Sequence, residues 1–283
     1  MKCELCGSEP LQEHAAREMM FGLRDQFTYT ECSGCGRLRL QDSPADLSRY
    51  YPRDYYSLSV QNGLKDRARS LLLRLGRWGL REALQRFVAL PAVTYIHLLE
   101  LKPQMRILDV GGGSGQLARQ LRESGFPHAY SIDLFTSAET AYSRKGTLSE
   151  VEGAWDRIMF HHSLEHMPDQ VKALAEARQR LAPEGQCLVR TPVASWAWKN
   201  YGMNWVQLDC PRHLSIHTSE SMEQAARLAG LTVAKTVYDS SAFQFWGSEL
   251  YRKDIPLMEG MKRLHEYFSQ AELARFQEQA DAL

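Results

Sequence analysis

The chain has 283 residues and a formal net charge of zero, because 34 lysine and arginine residues balance 34 aspartate and glutamate residues. This length predicts one large or two unequal domains with a substantial buried core, and the charge balance provides no chain-wide basic field for nucleic acid. Hydrophobic residues make up 44% of the sequence and charged residues 24%, which excludes a largely disordered chain.

No stretch approaches the roughly 20 consecutive apolar residues of a membrane-spanning helix, and the first residues lack the apolar segment of a secretion signal. We therefore expect a cytoplasmic protein. In a reducing compartment, cysteines that are spaced in pairs indicate a metal site more than disulfide bonds.

Residues 1–42 hold two matched cysteine pairs, each with two residues between its cysteines and a glycine after it. With 25 residues between the pairs, the four thiolates suit tetrahedral coordination of a structural Zn²⁺ ion. The alternatives are a redox pair, which matched pairs disfavour, and a nucleic-acid-binding ribbon, for which the segment has few basic residues. We predict a zinc-binding module with short strands near 27–29 and 37–40. Its metal ligands are Cys3, Cys6, Cys32 and Cys35.

Residues 43–102 are predicted to connect this module to the next domain. A tyrosine-rich stretch comes first, and an arginine-rich helical pattern follows from residue 64 to about residue 99. The basic face of such an amphipathic helix lies on an anionic membrane surface, faces a phosphate, or is the solvated outer face of a packed helix.

From residue 103 the pattern changes to short apolar runs that alternate with helical segments, which indicates a parallel sheet with crossover helices. Residues 232–238 and 242–245 are predicted to form an antiparallel hairpin at the sheet edge. We assign residues 103–250 to this domain and residues 251–283 to a C-terminal helix. The other predicted strands cover 106–110, 129–133, 157–161 and 186–190, and the predicted helices cover 115–124, about 136–142, 170–181 and 219–229.

The strongest functional signal is RILDVGGGSGQL, residues 106–117, in which a strand runs directly into a glycine-rich turn before a helix. A ligand at the carboxyl end of a parallel strand needs close approach to the backbone, which residues without a Cβ atom allow. The order D-x-G-x-G-x-G, which begins with an acidic residue inside the strand, differs from the dinucleotide fingerprint in the spacing of its third glycine. The next strand ends in Asp133, whose carboxylate suits the two hydroxyls of a ribose.

These residues resemble the class I S-adenosylmethionine-dependent methyltransferases over about residues 103–238. The resemblance implies a Rossmann-like α/β fold with a seven-stranded mixed sheet, and S-adenosylmethionine as the cofactor. It also implies that the glycine loop wraps the methionine part, that Asp109 lies beneath its amino group and that Asp133 holds the ribose. The sequence MFHHSLEHMPD is similar to the one that follows the family's fourth strand, which places His161 beside the adenine. The implied cofactor-binding residues are Asp109, Gly111, Gly113, Gly115, Asp133 and His161.

Methyl transfer from a sulfonium needs an aligned acceptor and, for a hydroxyl or a carbon acid, a base that removes a proton. Histidines concentrate in MFHHSLEHMPD and in a second stretch that contains His213 and His217. With the four-cysteine segment, the second stretch resembles zinc-containing sugar methyltransferases, including C-methyltransferases of nucleotide-linked ketosugars. That resemblance implies His213 as the catalytic base, with His166 in the active site. It rests on His213, Ser215, Thr218 and Ser221.

Uncharacterised relatives linked to polysaccharide and O-antigen biosynthesis look nearer still. They share the tyrosine-rich connector and a Pro-Arg-His sequence, which is similar to Pro211, Arg212 and His213 here. This resemblance implies a role in polysaccharide biosynthesis.

Each candidate side chain also has a structural alternative. His213 would otherwise be a helix-start histidine satisfied by backbone, and His166 would fix the loop after a strand. Arg212 would bind a substrate diphosphate through two parallel hydrogen bonds, or form an ordinary ion pair. Tyr201 and Trp205 belong to an aromatic-rich insert that would bind substrate by stacking on a sugar, or pack a core.

The predicted function is therefore methyl transfer from S-adenosylmethionine to a small molecule, namely a sugar or nucleotide sugar. One alternative is a lipid-linked or quinone-like acceptor, with the basic helix in contact with a membrane surface. Another is a non-catalytic scaffold that keeps the cofactor fold, against which the complete set of cofactor residues argues. We expect no nucleic-acid partner.

Overall fold

The computed structural model describes residues 2–44, 46–51, 91–136 and 139–283. Contacts divide the chain into two compact units, each assembled from separated segments of the sequence. Each unit contains its own sheet. The first unit comprises Met1–Tyr51, Glu165–Val171 and Pro192–Leu283, and the second comprises Pro52–Leu164 and Lys172–Thr191.

The first unit contains an antiparallel sheet of four strands, β1 (Pro10–Arg17), β2 (Gln26–Cys32), β3 (Leu38–Leu40) and β9 (Ser215–Ile216). The strands lie in the order β1-β2-β3-β9, so the fourth strand comes from a distant part of the sequence. In β3, Leu38 and Leu40 are buried while Arg39 is exposed, which is the alternation of a sheet with one solvated face. The two leucines share a core cluster with Trp205 and Phe245.

The second unit contains a parallel sheet of five strands, β4 (Ile107–Val110), β5 (Ala129–Asp133), β6 (Ser143–Lys145), β7 (Trp155–His161) and β8 (Leu181–Arg190). Their order is β6-β5-β4-β7-β8, and every residue of the central strand β4 is buried. This burial is typical of a parallel sheet, in which both faces are covered. The carboxyl ends of β4, β5 and β7 lie at one edge, where ligands bind in such sheets.

The helix that follows the glycine loop buries Leu117 and Leu121, one turn apart, in a cluster with Ile107 and Met159. The strands predicted at 106–110, 129–133, 157–161 and 186–190 are confirmed, with shifted ends in three of the four. The helices predicted at 115–124, 170–181 and 219–229 are also confirmed. In chain order the helices are Pro91–Leu98, Gln116–Glu123, Gln170–Arg180, Trp196–Tyr201, Ser219–Leu228, Ala242–Arg252, Leu257–Lys262, Leu264–Tyr267 and Gln270–Asp281.

The predicted antiparallel hairpin does not form, and among the described residues the parallel sheet has five strands instead of seven. Residues 232–238 are exposed and belong to no strand. Residues 242–245 begin the helix Ala242–Arg252. A helix forms there because the buried residues Phe245, Ser248 and Tyr251 recur every three positions, which places them on one helical face.

The segment between β5 and β6 also differs from expectation. The helix predicted around 136–142 is absent from the residues described there, and the chain enters β6, which the sequence did not predict. The Thr140 hydroxyl accepts hydrogen bonds from the backbone N–H groups of Tyr142 and Ser143, at 3.3 and 3.0 Å. Such side-chain bonds to nearby backbone compete with helix formation. In the C-terminal segment, where one helix was expected, three helices form from Leu257 onward.

The basic helical pattern at 64–88 and most of the tyrosine-rich stretch lie outside the described residues. The alternative in which this helix contacts a membrane surface therefore stays untested. None of the helices in the described part of the chain combines the length and the apolar composition that crossing a lipid bilayer requires.

The pairing of β3 with β9 provides a stability test of the first unit. Leu38 is fully buried, so we expect Leu38→Ala to lower the free energy of unfolding by about 2–5 kcal/mol through lost burial and a cavity. The matched control is Arg39→Ala, because Arg39 is exposed and its ion pair with Glu4 is worth at most about 1 kcal/mol. Urea unfolding of the three proteins measures both changes, and equal losses would contradict the one-sided sheet.

Candidate active site

The glycine loop begins at the carboxyl end of β4 and turns into the helix Gln116–Glu123. Gly111, Gly113 and Gly115 all have left-handed backbone conformations, with φ of 73°, 56° and 74°. At Gly111 a Cβ atom would also lie 2.5 Å from the Cβ of Ser163, too close for a side chain. Only glycine meets both demands, which leaves the loop backbone open to a ligand at close range.

Asp109, the acidic residue before the loop, is buried in β4. Burial, with a further contribution from the negative charge of Asp133, raises the pKa of the Asp109 carboxyl to about 7. Its Oδ1 atom has no hydrogen-bond partner among the described residues. A buried carboxyl with these properties is suited to a cationic ligand, such as the amino group of S-adenosylmethionine.

Asp133 ends the neighbouring strand β5 and is tied to the glycine loop. Its Oδ2 atom accepts a hydrogen bond of 2.9 Å from the backbone N–H of Gly113, and Oδ1 accepts one of 2.7 Å from Phe135. Since a carboxylate has about four acceptor positions, both oxygens can still accept bonds from ribose hydroxyls. The structure thus brings Asp133 and the glycine loop together within the second unit.

His161 ends β7, at the same edge of the parallel sheet. The guanidinium of Arg190 donates hydrogen bonds to Nε2 of His161 at 3.0 Å and to Nε2 of His162 at 2.7 Å. The edge of the Tyr95 ring packs against His161 with a centroid distance of 5.3 Å. These contacts fix the His161 ring at the strand end, where the sequence resemblance locates the adenine.

The four cysteines converge in the first unit. The Sγ atoms of Cys3 and Cys35 are 3.8 Å apart, and those of Cys6 and Cys32 are 3.4 Å apart. All four are free thiols whose sulfur atoms lie within 4.8 Å of one another. Zinc–sulfur bonds of about 2.3 Å give a tetrahedron with sulfur–sulfur distances of about 3.8 Å. The residues present therefore fit a zinc ion.

His213, the predicted catalytic base, lies directly before β9. The Tyr29 hydroxyl donates a hydrogen bond of 2.6 Å to the His213 carbonyl. The ring Nδ1 atom lies 2.8 Å from the carbonyl oxygen of Gln207, and must donate because a carbonyl can only accept. The neutral ring therefore carries its proton on Nδ1 and its lone pair on Nε2.

Two carboxylates flank the Nε2 atom of His213. Oε1 of Glu165 lies 4.0 Å from it and Oδ2 of Asp209 lies 3.8 Å from it. Burial and the adjacent His166 lower the pKa of His213 to about 4, although both carboxylates and the Gln207 carbonyl oppose this shift. The ring is therefore neutral at neutral pH, and a proton taken by Nε2 would face two negative charges.

His166 lies beside His213, so the structure brings the two predicted catalytic histidines together. Their ring centroids are 4.7 Å apart. Nδ1 of His166 donates a hydrogen bond of 2.9 Å to the carbonyl of Arg212, and the Tyr51 hydroxyl lies 3.2 Å from the same nitrogen. With Glu165, the two histidines form a second group whose donor atoms are close enough to hold a metal ion.

Arg212 does not offer its guanidinium to a substrate, which corrects the prediction of diphosphate binding. Its side chain is 0% exposed, and its Nη2 atom lies 3.1 Å from Glu18 and 2.7 Å from Asp209. The carbonyl of Tyr50 accepts a further hydrogen bond of 3.2 Å. The ion-pair alternative is therefore the better description, except that the pair is buried instead of solvent-facing.

The geometry also favours the packing alternative for Tyr201 and Trp205, which the sequence assigned to substrate. Both are buried in the core cluster of the first unit, with 9% and 1% of their surface exposed. The Arg252 guanidinium lies over the Tyr201 ring, 4.4 Å from its centroid. Neither ring has an exposed face of the size that stacking on a sugar requires.

Thr218 and Ser221, which carry part of the sugar-methyltransferase resemblance, have structural roles. They form the capping box at the start of the helix Ser219–Leu228. The Thr218 hydroxyl donates a hydrogen bond of 2.7 Å to the Cys35 carbonyl, and Ser221 Oγ lies 2.9 Å from Nδ1 of His217. The motif therefore connects the helix start after β9 to the cysteine loops.

Sequence reasoning missed the groups that surround His213, namely Glu165, Asp209 and the carbonyl of Gln207. Glu165 directly precedes His166, so this acidic neighbour was a usable signal. Asp209 lies four residues before His213 in a segment with no regular pattern. A backbone carbonyl leaves no signal, because any residue supplies it.

The chain matches a family described as a methyltransferase domain over residues 80–236, more than half of its length. No curated protein sequence matches it significantly. Among solved structures it is similar to the YcgJ protein of Bacillus subtilis, with 17% identity and a TM-score of 0.40, over 49% of this chain and 66% of that one. CalO1, a methyltransferase in calicheamicin biosynthesis solved with S-adenosylhomocysteine, is 19% identical over 52% of this chain and 50% of that one, with a TM-score of 0.38.

A possible histamine N-methyltransferase from Thermotoga maritima is 20% identical over 57% of this chain and 78% of that chain, with a TM-score of 0.40. The chain thus spans about two thirds of the YcgJ protein and half of CalO1. The matched range includes the glycine loop with Asp109 and the strand end with Asp133. The chain therefore belongs to the methyltransferase-domain family.

Proposed function

We propose that this methyltransferase acts on a sugar or nucleotide sugar, with His213 as the general base and His166 as its assistant. The observation that carries the proposal is that the Nε2 atom of His213 is placed to accept a proton. The other ring nitrogen, Nδ1, donates its hydrogen bond to the Gln207 carbonyl, so Nε2 keeps its lone pair in a buried site. The choice of a sugar rests on the sequence resemblance, which extends to polysaccharide biosynthesis.

We propose S-adenosylmethionine as the methyl donor. When bound, it would supply a methyl group whose bond to sulfur breaks as the bond to the acceptor forms, with the bonding electrons left on sulfur. The acceptor atom must lose its proton, and Nε2 of His213 takes it. The resulting imidazolium keeps its Nδ1 bond to Gln207 and gains the attraction of Glu165 and Asp209, about 4 Å away. His166 packs against the same ring and limits its rotation.

For the cofactor, we propose the roles that the resemblance implies. Asp109 binds the amino group, Asp133 the ribose hydroxyls and His161 the adenine, while Gly111, Gly113 and Gly115 allow the backbone to approach the methionine part. The buried Asp109 carboxyl and the bonds between Asp133 and the loop support this arrangement. The four cysteines would hold zinc in a structural role, because four thiolates leave no open coordination position.

Removal of the base tests the proposal directly. We expect His213→Ala to lower turnover by about 10²–10⁴-fold, the range typical of a lost general base. S-adenosylmethionine affinity should stay unchanged, because its proposed ligands lie in the second unit. Formation of S-adenosylhomocysteine with a panel of nucleotide sugars measures turnover, and calorimetry measures affinity. His265→Ala, at an exposed histidine, is the matched control.

Two outcomes would contradict the assignment of His213. Turnover that survives the substitution would remove it as the base. A joint loss of turnover, cofactor binding and thermal stability would identify it as a structural histidine.

The pKa of Asp109 predicts how cofactor binding depends on pH. Because this carboxyl titrates near pH 7 in the free protein, below that pH it must release a proton before it can pair with the cofactor's amino group. Affinity should therefore fall by up to about tenfold per pH unit as the pH drops below 7. Calorimetry between about pH 6 and pH 8 measures the change.

Two controls isolate the Asp109 carboxyl. Asp109→Asn should bind more weakly above pH 7 and lose the pH dependence. In the wild type, 5′-methylthioadenosine should also show no such dependence, because it lacks the amino acid part. An unchanged pH profile in Asp109→Asn would rule out this group.

Metal removal tests the cysteine site. The purified protein should contain about one zinc per chain, and Cys32→Ser should lose it together with thermal stability, because zinc binding contributes to folding. Cys187→Ala is the matched control, since Cys187 lies in β8 and outside the cluster. Elemental analysis and melting curves give both results, and full zinc content in Cys32→Ser would contradict the ligand set.

A further inference from the structure

We propose that Glu165, His166 and His213 form a second metal site, which binds one divalent first-row transition-metal ion separately from the four cysteines. Each side chain offers one donor atom, and the three donor atoms lie within 4.8 Å of one another. Glu165 and His213 are buried and His166 is partly buried. All three belong to the first unit.

The hydrogen bonds of the two imidazoles are those of metal-binding histidines. In such histidines one ring nitrogen binds the ion, and the other donates its N–H group to a carboxylate or a backbone carbonyl. Here Nδ1 of His213 donates to Gln207 and Nδ1 of His166 donates to Arg212, at 2.8 and 2.9 Å. Both rings thus have a tautomer that leaves the lone pair on Nε2.

The charges around the site favour a cation. Glu165 is 1% exposed, and its Oε1 atom lies 4.0 Å from Nε2 of His213. A second carboxylate oxygen, Oδ2 of Asp209, lies 3.8 Å from the same Nε2 atom. Arg212 holds the Asp209 carboxylate in place through hydrogen bonds of 2.7 to 3.1 Å. A buried carboxylate is stabilised when it coordinates a metal ion.

The distances require only a small adjustment. Metal–nitrogen and metal–oxygen bonds of about 2.0–2.2 Å bring the donor atoms around a tetrahedral ion to about 3.4 Å from one another. Oε1 of Glu165 and Nε2 of His213 lie 4.0 Å apart, which exceeds this value by less than about 1 Å. Small side-chain rotations close such a gap.

The donor set indicates which ions would bind. Two imidazoles and one carboxylate suit Zn²⁺, Fe²⁺, Co²⁺ and Mn²⁺, whereas Mg²⁺ and Ca²⁺ prefer oxygen donors alone. With three protein ligands, at least one coordination position stays open, unlike the filled four-cysteine site.

Ion binding has a consequence for the proposed reaction. Nε2 of His213 has one lone pair, which binds either the ion or the acceptor's proton. An excess of the ion should therefore inhibit methyl transfer. This consequence rests on the proposed role of His213 as the base, whereas the metal site itself does not.

Cobalt titration of the full-length protein, prepared so that only the four-cysteine site holds zinc, tests the second site. We expect one equivalent of Co²⁺ to bind and to show visible d–d absorption. Exchange of Co²⁺ into the cysteine site would add a thiolate-to-cobalt charge-transfer band, which should be absent. Glu165→Gln and His166→Gln should each weaken Co²⁺ binding by at least about tenfold, the lower range for loss of a supporting partner. His265→Gln, at an exposed histidine, should bind Co²⁺ like the wild type.

Melting curves accompany the titrations, and two ligands are substituted because a buried substitution can itself disturb folding. No additional equivalent in the wild type, or unchanged affinity in both folded variants, would overturn the metal site. If the variants lose Co²⁺ binding but excess Co²⁺ does not inhibit methyl transfer by the wild type, the metal site is supported and His213 is overturned as the base. Failure of the proposed function is thus distinguishable from failure of the metal site.

Discussion

The pairing of β3 with β9 is the interaction on which the candidate catalytic cluster depends. Leu38 pairs with Ile216, so the segment directly after His213 completes a sheet whose other strands belong to the N-terminal segment. The N–H of Leu40 donates to the Leu214 carbonyl at 2.9 Å, and the Tyr29 hydroxyl donates to the His213 carbonyl at 2.6 Å. The cysteine segment is therefore part of the unit that fixes the His213 backbone, and its folding determines where the ring lies.

A buried charge network supports the same cluster. Arg212 lies between Glu18 and Asp209, and the Glu18 carboxylate also accepts hydrogen bonds from the backbone N–H groups of Phe21 and Leu23. Loss of one partner from such a buried pair costs about 3–5 kcal/mol, because the remaining charge is left uncompensated. Arg212 thus links the end of β1 to the loop that carries Asp209, and so holds that carboxylate beside Nε2 of His213.

The features that could be predicted from the sequence are those with a local cause. The glycine loop, Asp133 and the cysteine pairs follow from residue type and short spacing, and β4 and β5 follow from apolar runs bounded by turns. The pairing of β9 with β3 and the approach of Glu165 to His213 depend on residues far apart in the chain, for which no local pattern exists. Arg212 looks solvent-facing by residue type, and one of the partners that compensate its charge in the interior, Glu18, is 194 residues away. The helix at Ala242–Arg252 was missed because Phe243, Gln244 and Phe245 near its start alternate in polarity as a strand does.

Two aspartates show how charge partners separate a ligand site from a structural one. Asp109 is buried and Asp209 is partly buried, and the loss of solvent contact raises the pKa of each. At Asp109 the neighbouring charge is the negative Asp133, which adds to the effect of burial and raises the pKa to about 7. At Asp209 burial acts in the same upward direction, but Arg212 together with His213 and His166 outweighs it and holds the pKa below its usual value. The positive charge beside Asp209 is the guanidinium of Arg212, which belongs to the protein itself. No positive group among the described residues contributes to the pKa of Asp109, so a cationic ligand would be the group that favours its ionised form. The amino group that we propose for Asp109 is such a charge, so the proposed cofactor would complete a site that is electrostatically incomplete in the protein alone.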